Sequence, residues 1–443
     1  MKRLLIVSPH FVPSNAADMQ RVRAVLPYLA NAGWHCEVLA VAPEYVAAPQ
    51  DPWLATGLPA DTPIHRVAAL GLRWRRVPGL GTLTYRALGA MRRIGNRLLG
   101  ERNFDLVYFS TTQFGIHALG PLWRRQFGVP FVMDYQDPWV SDYYRTHPDV
   151  PPPGGRVKYE AASYLARHAE PRVLAACSGV TSVSEDYVRQ LCERYPATMR
   201  DMPTLVAPFP GDDADLCRVA ADASIRQTCF TPGDGRMHWV YVGRGGRDMH
   251  RALRPFFLAL AAQLEVQPIL AERLRIHFIG TSYAAAGGGK RTIQPLAAEC
   301  GVGEIVTESP DRIPYSTTLR CLMDADALIV PGSDDPAYTA SKIYPYLLAR
   351  KPLLAIFHEA SSVSNLLQAV GGGIVVPFSS SVSTDDSVQA ITRTWFDEER
   401  YATPTPLDDI EFAPYTAAHQ AASLADFFSL CVANARKEGA ECR

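Results

Sequence analysis

The stretch from Asp324 to Phe357 constrains the fold more than any other part of the chain. Two apolar runs of strand length, Ala327–Val330 and Leu353–Phe357, flank a polar loop of small residues and a helical pattern, Ile343, Tyr346 and Leu347. Strand, loop, helix, strand is a βαβ unit, and its two strands lie parallel. Pro345 fixes where the helix begins. Proline has no N–H, and its ring clashes with the carbonyl four residues back, so the first turn is its place. The helix is predicted to start near Ser341 or Lys342, with Ser341 as N-cap. Unpaired N–H groups and the helix dipole put partial positive charge there, and Lys342 adds a full one. Ligands of open parallel sheets lie beyond the carboxyl ends of the strands, so the loop after Pro331 is expected to meet an anion. The plainer reading is a capped helix with a solvated lysine.

At 443 residues the chain exceeds a single core, so two domains are expected. A hydrophobic content of 47% with 20% charged residues fits a soluble globular protein. The net charge of −1 argues against a surface that binds nucleic acid throughout. The 9 cysteines are scattered without a CxxC pair, which favours reduced thiols in a cytoplasm over disulfides or a zinc site. The apolar run Leu4–Val7 is too short for a signal peptide, and no stretch of about 20 apolar residues exists, so no membrane span is expected.

The N-terminal half opens with a buried strand, Lys2–Val7. A loop of small and turn-forming residues follows, including Asn15, Ala16 and Ala17, and then a helix from about Asp18 to Ala32. This is a Rossmann-type start without G-x-G-x-x-G. Further strands are predicted at His35–Val41, Asp105–Phe109, Val129–Met133 and Gly179–Val183. Asp134 and Asp137 stand at a strand's carboxyl end, where carboxylates either meet a substrate or cap turns. His117 lies near the start of a predicted helix, Gln113–Gln126, and reads as structural or catalytic. Residues 72–102 carry eight arginines against the single acid Glu101, with apolar residues between them. From Leu83 this reads as a basic amphipathic helix, either docking on anionic lipid or an anionic acceptor, or packing its apolar side on the core.

Periodicity is poor over 208–235, which reads as a linker with a short helix near Ala214–Ala223. His238–Val242 then begins a second Rossmann-like sheet. Gly243-Arg244-Gly245-Gly246-Arg247 follows at its carboxyl end. Glycines bring backbone N–H groups close to a ligand, and arginines pair with phosphate oxygens as forks. The domains are placed at 1–207 and 236–400, with a last helix over about 415–436 crossing back to the first.

Two tandem Rossmann-like halves, Gly243-Arg244, Ser341-Lys342-Ile343-Tyr344 opening a helix, and the segment Asp134–Trp139 together resemble GT-B glycosyltransferases of the retaining family 4 type. The resemblance implies an α/β fold of two Rossmann-like domains facing across a cleft. It implies transfer of a sugar from a nucleoside-diphosphate sugar, a co-substrate, with no cofactor. Arg244, Ser341 and Lys342 would meet the donor diphosphate. The second basic residue would be Arg247, His250 or Arg251. Gly243, Arg312, Ile313, Asp334, Asp335 and Tyr344 would lie near the donor sugar or nucleoside. Asn15 and Asp134 would lie on the acceptor side, and His117 and Asp137 near the transferring sugar. The family's two glutamates eight positions apart are missing: Ala337 and Pro345 occupy those places. With Arg244 and Lys342 as cations, no metal is expected. The acceptor is left open, as a cell-surface glycan, a glycolipid or a small molecule. The rivals are a nucleotide-sugar epimerase of the same fold and a non-catalytic GT-B-like binding protein. A cytoplasmic protein is expected, with peripheral contact at the inner membrane face through 72–102.

Overall fold

In the computed structural model the chain is described except at residues 78, 147–151, 153–154, 283, 285–286, 336–341 and 442–443. It divides into two compact units, Met1–Pro210 with Ala417–Arg443, and Gly211–Thr416.

Among the described residues the first unit is built on seven strands: β1 (Lys2–Val7), β2 (Trp34–Val41), β3 (Ile64–Val67), β4 (Leu106–Ser110), β5 (Phe131–Tyr135), β6 (Gly179–Ser182) and β7 (Thr204–Val206). Their order is β3-β2-β1-β4-β5-β6-β7, and every pairing is parallel. Such strands are covered on both faces, which is why Leu4–Val7 and Leu106–Phe109 are continuously apolar and buried. The order turns outward from β1 in both directions, so the loops after β1 and β4 flank the switch point. The helix expected over Gln113–Gln126 is split into a 3₁₀ turn, Phe114–Ala118, and an α-helix, Leu119–Phe127. Helix Leu83–Glu101 packs on this layer so closely that a Cβ at Gly95 would lie 2.2 Å from the Trp123 ring. The terminal helix Ala417–Glu441 belongs to this unit. Trp34 Nε1 donates to Ala425 O at 3.2 Å, and Phe428 packs edge-on against Trp34.

In the second unit the described strands are β8 (Met237–Val242), β9 (Leu274–Ile279), β10 (Val306–Ser309), β11 (Ala327–Pro331), β12 (Leu353–His358) and β13 (Ile374–Phe378). All pairings are parallel in the order β10-β9-β8-β11-β12-β13. The switch point here lies between β8 and β11. The expected βαβ unit is β11, helix Ile343–Leu348 and β12, but the helix starts at Ile343 with Lys342 as its N-cap residue. Ser341 and Ala337 lie outside the described residues. The stretch expected as a linker joins this unit from Gly211 onward. It carries helix Asp213–Ala221 and places Phe230 in the core. The unit also runs past 400, since Tyr401, Leu407 and Phe412 are buried in the same core. Among the described residues no helix is long and apolar enough to cross a membrane.

Candidate functional site

In the second unit the carboxyl ends of β8 and β11 bring together residues distant in sequence. Gly243 continues the β8–β9 ladder, its N–H donating to Ile279 O at 2.9 Å. Arg244 follows. Its guanidinium forks onto Asp248 at 2.7 and 3.2 Å. Ser333 Oγ, from the loop after β11, donates to the same carboxylate at 2.8 Å, and Asp334 N donates to Asp248 O at 2.9 Å. Asp248 thus ties the loops after β8 and β11 together. Burial alone would raise its carboxyl; the Arg244 pair and the Ser333 bond outweigh this and hold it below the usual range.

Lys342 completes the cluster. Its Nζ donates to Tyr241 Oη at 2.8 Å and lies 4.9 Å over the Tyr241 ring, and Tyr241 Oη donates to Arg244 O at 2.7 Å. A Cβ at Gly243 would fall 2.2 Å from that Nζ, so only glycine admits the ammonium here. Burial, then the charges of Arg244 and Arg312, bring Lys342 down to about 7, against the opposite pull of Asp248.

The other expected donor residues fare differently. Arg247 is exposed on the next turn. His250 donates to Thr292 O at 2.9 Å and Arg251 to Ser379 O at 2.5 Å, so both are engaged elsewhere. Asp334 is raised, first by burial and then by the Asp248 and Asp335 charges. Asp335 N donates to Ser333 Oγ at 3.2 Å. Arg312 is exposed, and Ile313 packs partly on the core. Tyr344, expected near the donor sugar or nucleoside, is instead 5% exposed and stacks on Tyr415 at 5.7 Å within the core.

In the first unit Asp134 lies wholly inside. Its carboxylate accepts from Arg21 Nε at 2.9 Å, Ser110 Oγ at 2.8 Å, Gln136 Nε2 at 2.8 Å and Thr181 Oγ1 at 2.9 Å. It is an internal anchor and not a group presented to an acceptor. His117 is also buried. Its Nδ1 donates to Phe114 O at 2.9 Å, its ring lies among Phe109, Phe114 and Trp139, and burial drops it to about 4. A covered, neutral imidazole does not serve as the expected catalytic group. Asn15 sits in the β1 loop with its N–H on Pro49 O at 2.7 Å. Asp137 is exposed, yet the groups crowding it and the Asp18 charge push it up to about 6.

Asp18 and His10 escaped the sequence reading. Asp18 is buried, and accepts from His10 Nδ1 at 2.9 Å, Thr111 Oγ1 at 2.9 Å and Thr112 N at 3.2 Å. Burial opposes its charge, but these donors hold the carboxyl below its ordinary range. The pair spans the switch point, where the loops after β1 and β4 meet. Its only trace in the sequence is a histidine and an aspartate eight apart, which no spacing rule singles out. Among the described residues no three His, Cys, Asp or Glu gather to hold a metal ion.

This geometry can be set beside known proteins. Residues 20–202 match the family model described as the glycosyl transferase 4-like domain. That stretch, within the first unit, is similar to a glycosyl transferase 4-like domain. No curated protein matches it in sequence. Among solved structures, sucrose-phosphate synthase from Thermosynechococcus elongatus superposes with a TM-score of 0.54 at 13% identity, covering 99% of this chain and 98% of the other. The α,α-trehalose-phosphate synthase from Burkholderia xenovorans, solved with glucose-6-phosphate, gives 0.58 at 11% identity, covering 96% and 100%. Anabaena HepE, solved with UDP-glucose, gives 0.51 at 13% identity, covering 100% and 99%. At such identities these structures establish the shared GT-B fold.

Proposed function

We propose that this protein is a retaining glycosyltransferase that moves a sugar from a nucleoside-diphosphate sugar to an acceptor. The observation that carries the reading is the convergence of Arg244 and Lys342 on Gly243 at the β8–β11 switch point. The glycosyl transferase 4-like domain and the UDP-glucose bound to HepE support it. Lys342, supplied by the βαβ loop, takes the part of the second cation expected among Arg247, His250 and Arg251.

Chemically, the step needs a stabilised leaving diphosphate and tolerates a developing oxocarbenium ion. Arg244 and Lys342 are fixed before the donor arrives, so they stabilise the departing charge without reorganising. These two cations do the work of a divalent ion, so turnover should survive a chelator. On the acceptor side His10, held by Asp18, takes the place of His117, and Asp137 keeps the part expected of it near the reacting hydroxyl. The free thiols support a reducing, cytoplasmic setting.

Calorimetry with UDP-glucose, UDP and a panel of other nucleoside-diphosphate sugars tests the reading. Removing one charge-assisted fork costs about 1.5–3 kcal/mol, so Arg244→Ala should weaken diphosphate binding roughly tenfold to a hundredfold. Unchanged binding would sink the site. Conversion of a nucleotide sugar to an isomer without acceptor would favour the epimerase of the same fold. Binding with no turnover across an acceptor panel would favour a non-catalytic binding protein.

A further inference from the structure

The arginine-rich segment does not behave as its periodicity suggests. Helix Leu83–Glu101 turns Leu83, Ala87, Met91, Leu98 and Leu99 into the core, so it has no apolar face left to offer. Arg86 is buried and donates to Leu70 O at 2.7 Å, and Arg102 pairs with buried Glu37. Apart from Tyr85, the exposed large apolar residues of this segment lie instead on the turn before it. Leu72, Trp74 and Val77 protrude there, interleaved with exposed Arg73, Arg75 and Arg76.

A second element extends this surface. A Cβ at Gly81 would meet Arg75 O at 3.5 Å and Lys158 Nζ at 3.7 Å, so the turn adjoins the start of helix Arg156–Leu174. That helix leaves Val157 87%, Tyr164 63% and Leu165 54% exposed. Val157, Ala161, Tyr164 and Leu165 recur at spacings of four, three and one, which is one face of a helix. Exposed Arg156 and Lys158 flank it, and the acid among them, Glu160, is taken by Arg145 at 2.6 Å. Two adjoining elements therefore present apolar side chains within a field of cations.

We propose that this face docks on the surface of an anionic bilayer. Each half of the chemistry has its counterpart there. Aromatic and aliphatic tips sink into the headgroup–acyl boundary, and arginines and lysine meet anionic headgroups. A soluble polyanion would use the charges and leave Val157, Tyr164 and Leu165 in water, so lipid accounts for both sets at once.

Sedimentation of the full chain with phosphatidylcholine vesicles, with and without about a third phosphatidylglycerol, tests this. Partition should favour the anionic vesicles at least about tenfold, and the preference should fall as salt shortens the Debye length. Replacing Arg73, Arg75 and Arg76 with Gln should lower it about a hundredfold, at roughly one headgroup interaction per arginine. Trp74→Glu with Val157→Glu should lower it at least about tenfold, with unchanged circular dichroism, since both side chains are exposed. No partition into anionic vesicles would overturn the proposal. So would equal partition into both vesicle types, or full retention in the Trp74→Glu, Val157→Glu variant. Lipid binding is measured without donor or acceptor, so its failure leaves the transferase reading untouched.

Discussion

If the donor diphosphate binds beside Lys342 as proposed, its binding should depend on pH, with a sign fixed by the surroundings of that lysine. In the free protein it titrates near 7, because burial and the Arg244 and Arg312 charges disfavour the ammonium. A bound diphosphate is an opposite charge at close range, which raises such a group by about 1–3 units. Below pH 7 the ammonium is already in place and binding takes up no proton. Above pH 7 the amine must capture a proton as the donor binds, so affinity falls as pH rises. With a free value of 7 and a bound value of about 9, the dissociation constant should rise about 20-fold between pH 6.5 and 8.5. UDP-glucose suits the measurement because its phosphodiesters do not titrate in that range. Calorimetry in two buffers of different ionisation enthalpy should register uptake approaching one proton near pH 8. Lys342→Arg, which stays charged, should flatten both the pH profile and the proton uptake. A flat profile in the unaltered protein, with no proton uptake, would refute the reasoning.

Three further outcomes follow from the same geometry. Gly243→Ala puts a methyl 2.2 Å from Lys342 Nζ, and a flexible lysine end moves away cheaply, so the melting temperature should barely change while donor affinity drops about tenfold. A large loss of stability, or unaltered affinity, would contradict this. Asp248→Asn keeps an acceptor for Ser333 Oγ but removes the negative charge beside the diphosphate, and should tighten UDP binding about fivefold, near 1 kcal/mol for a partly screened charge. Weaker binding in calorimetry would instead make Asp248 a residue that aims Arg244. Arg21→Met strands the buried Asp134 carboxylate and frees the Ala207 and Pro208 carbonyls, and should cost about 3–5 kcal/mol in urea unfolding. A loss under about 1 kcal/mol would show that water or Gln136 takes over the guanidinium's place.

Most of the architecture was legible because parallel strands announce themselves. Runs such as Leu4–Val7, Ala327–Val330 and Leu353–Phe357 are apolar on both faces, and the first two run into Ser8-Pro9 and Pro331-Gly332. The Gly243-Arg244 turn and Lys342 were legible for a related reason, since the fold reserves strand carboxyl ends for ligands. What periodicity does not encode is which loops become neighbours. Asp248 meets Ser333 across 85 positions, and Asp18 meets Thr111 across 93. Nor does it say how a charge at a strand end is spent. Asp134 is the fourth residue of β5 and shares its layer with Ser110 and Thr181, so it is consumed inside, whereas Asp137, past the strand, emerges. The helical pattern over Leu83–Glu101 carried a similar ambiguity. An amphipathic period reveals that one face is covered, and packing alone decides whether protein or lipid covers it.

Both switch points share a feature that no motif for phosphate or sugar would suggest: each holds a cationic or ionisable nitrogen already paired with an acid. His10 rests on Asp18, and Arg244 on Asp248. The physical reason is desolvation. A charge partly withdrawn from water is expensive to leave without a partner. An internal carboxylate offsets that cost while no ligand is bound and keeps the side chain in one rotamer. It also competes with an anionic ligand, so affinity depends on the acid as much as on the base. A donor site with a single cation would be strongly self-neutralised by this arrangement. Lys342, rather than Arg244, is then the cation whose protonation sets the charge of the cluster near neutral pH.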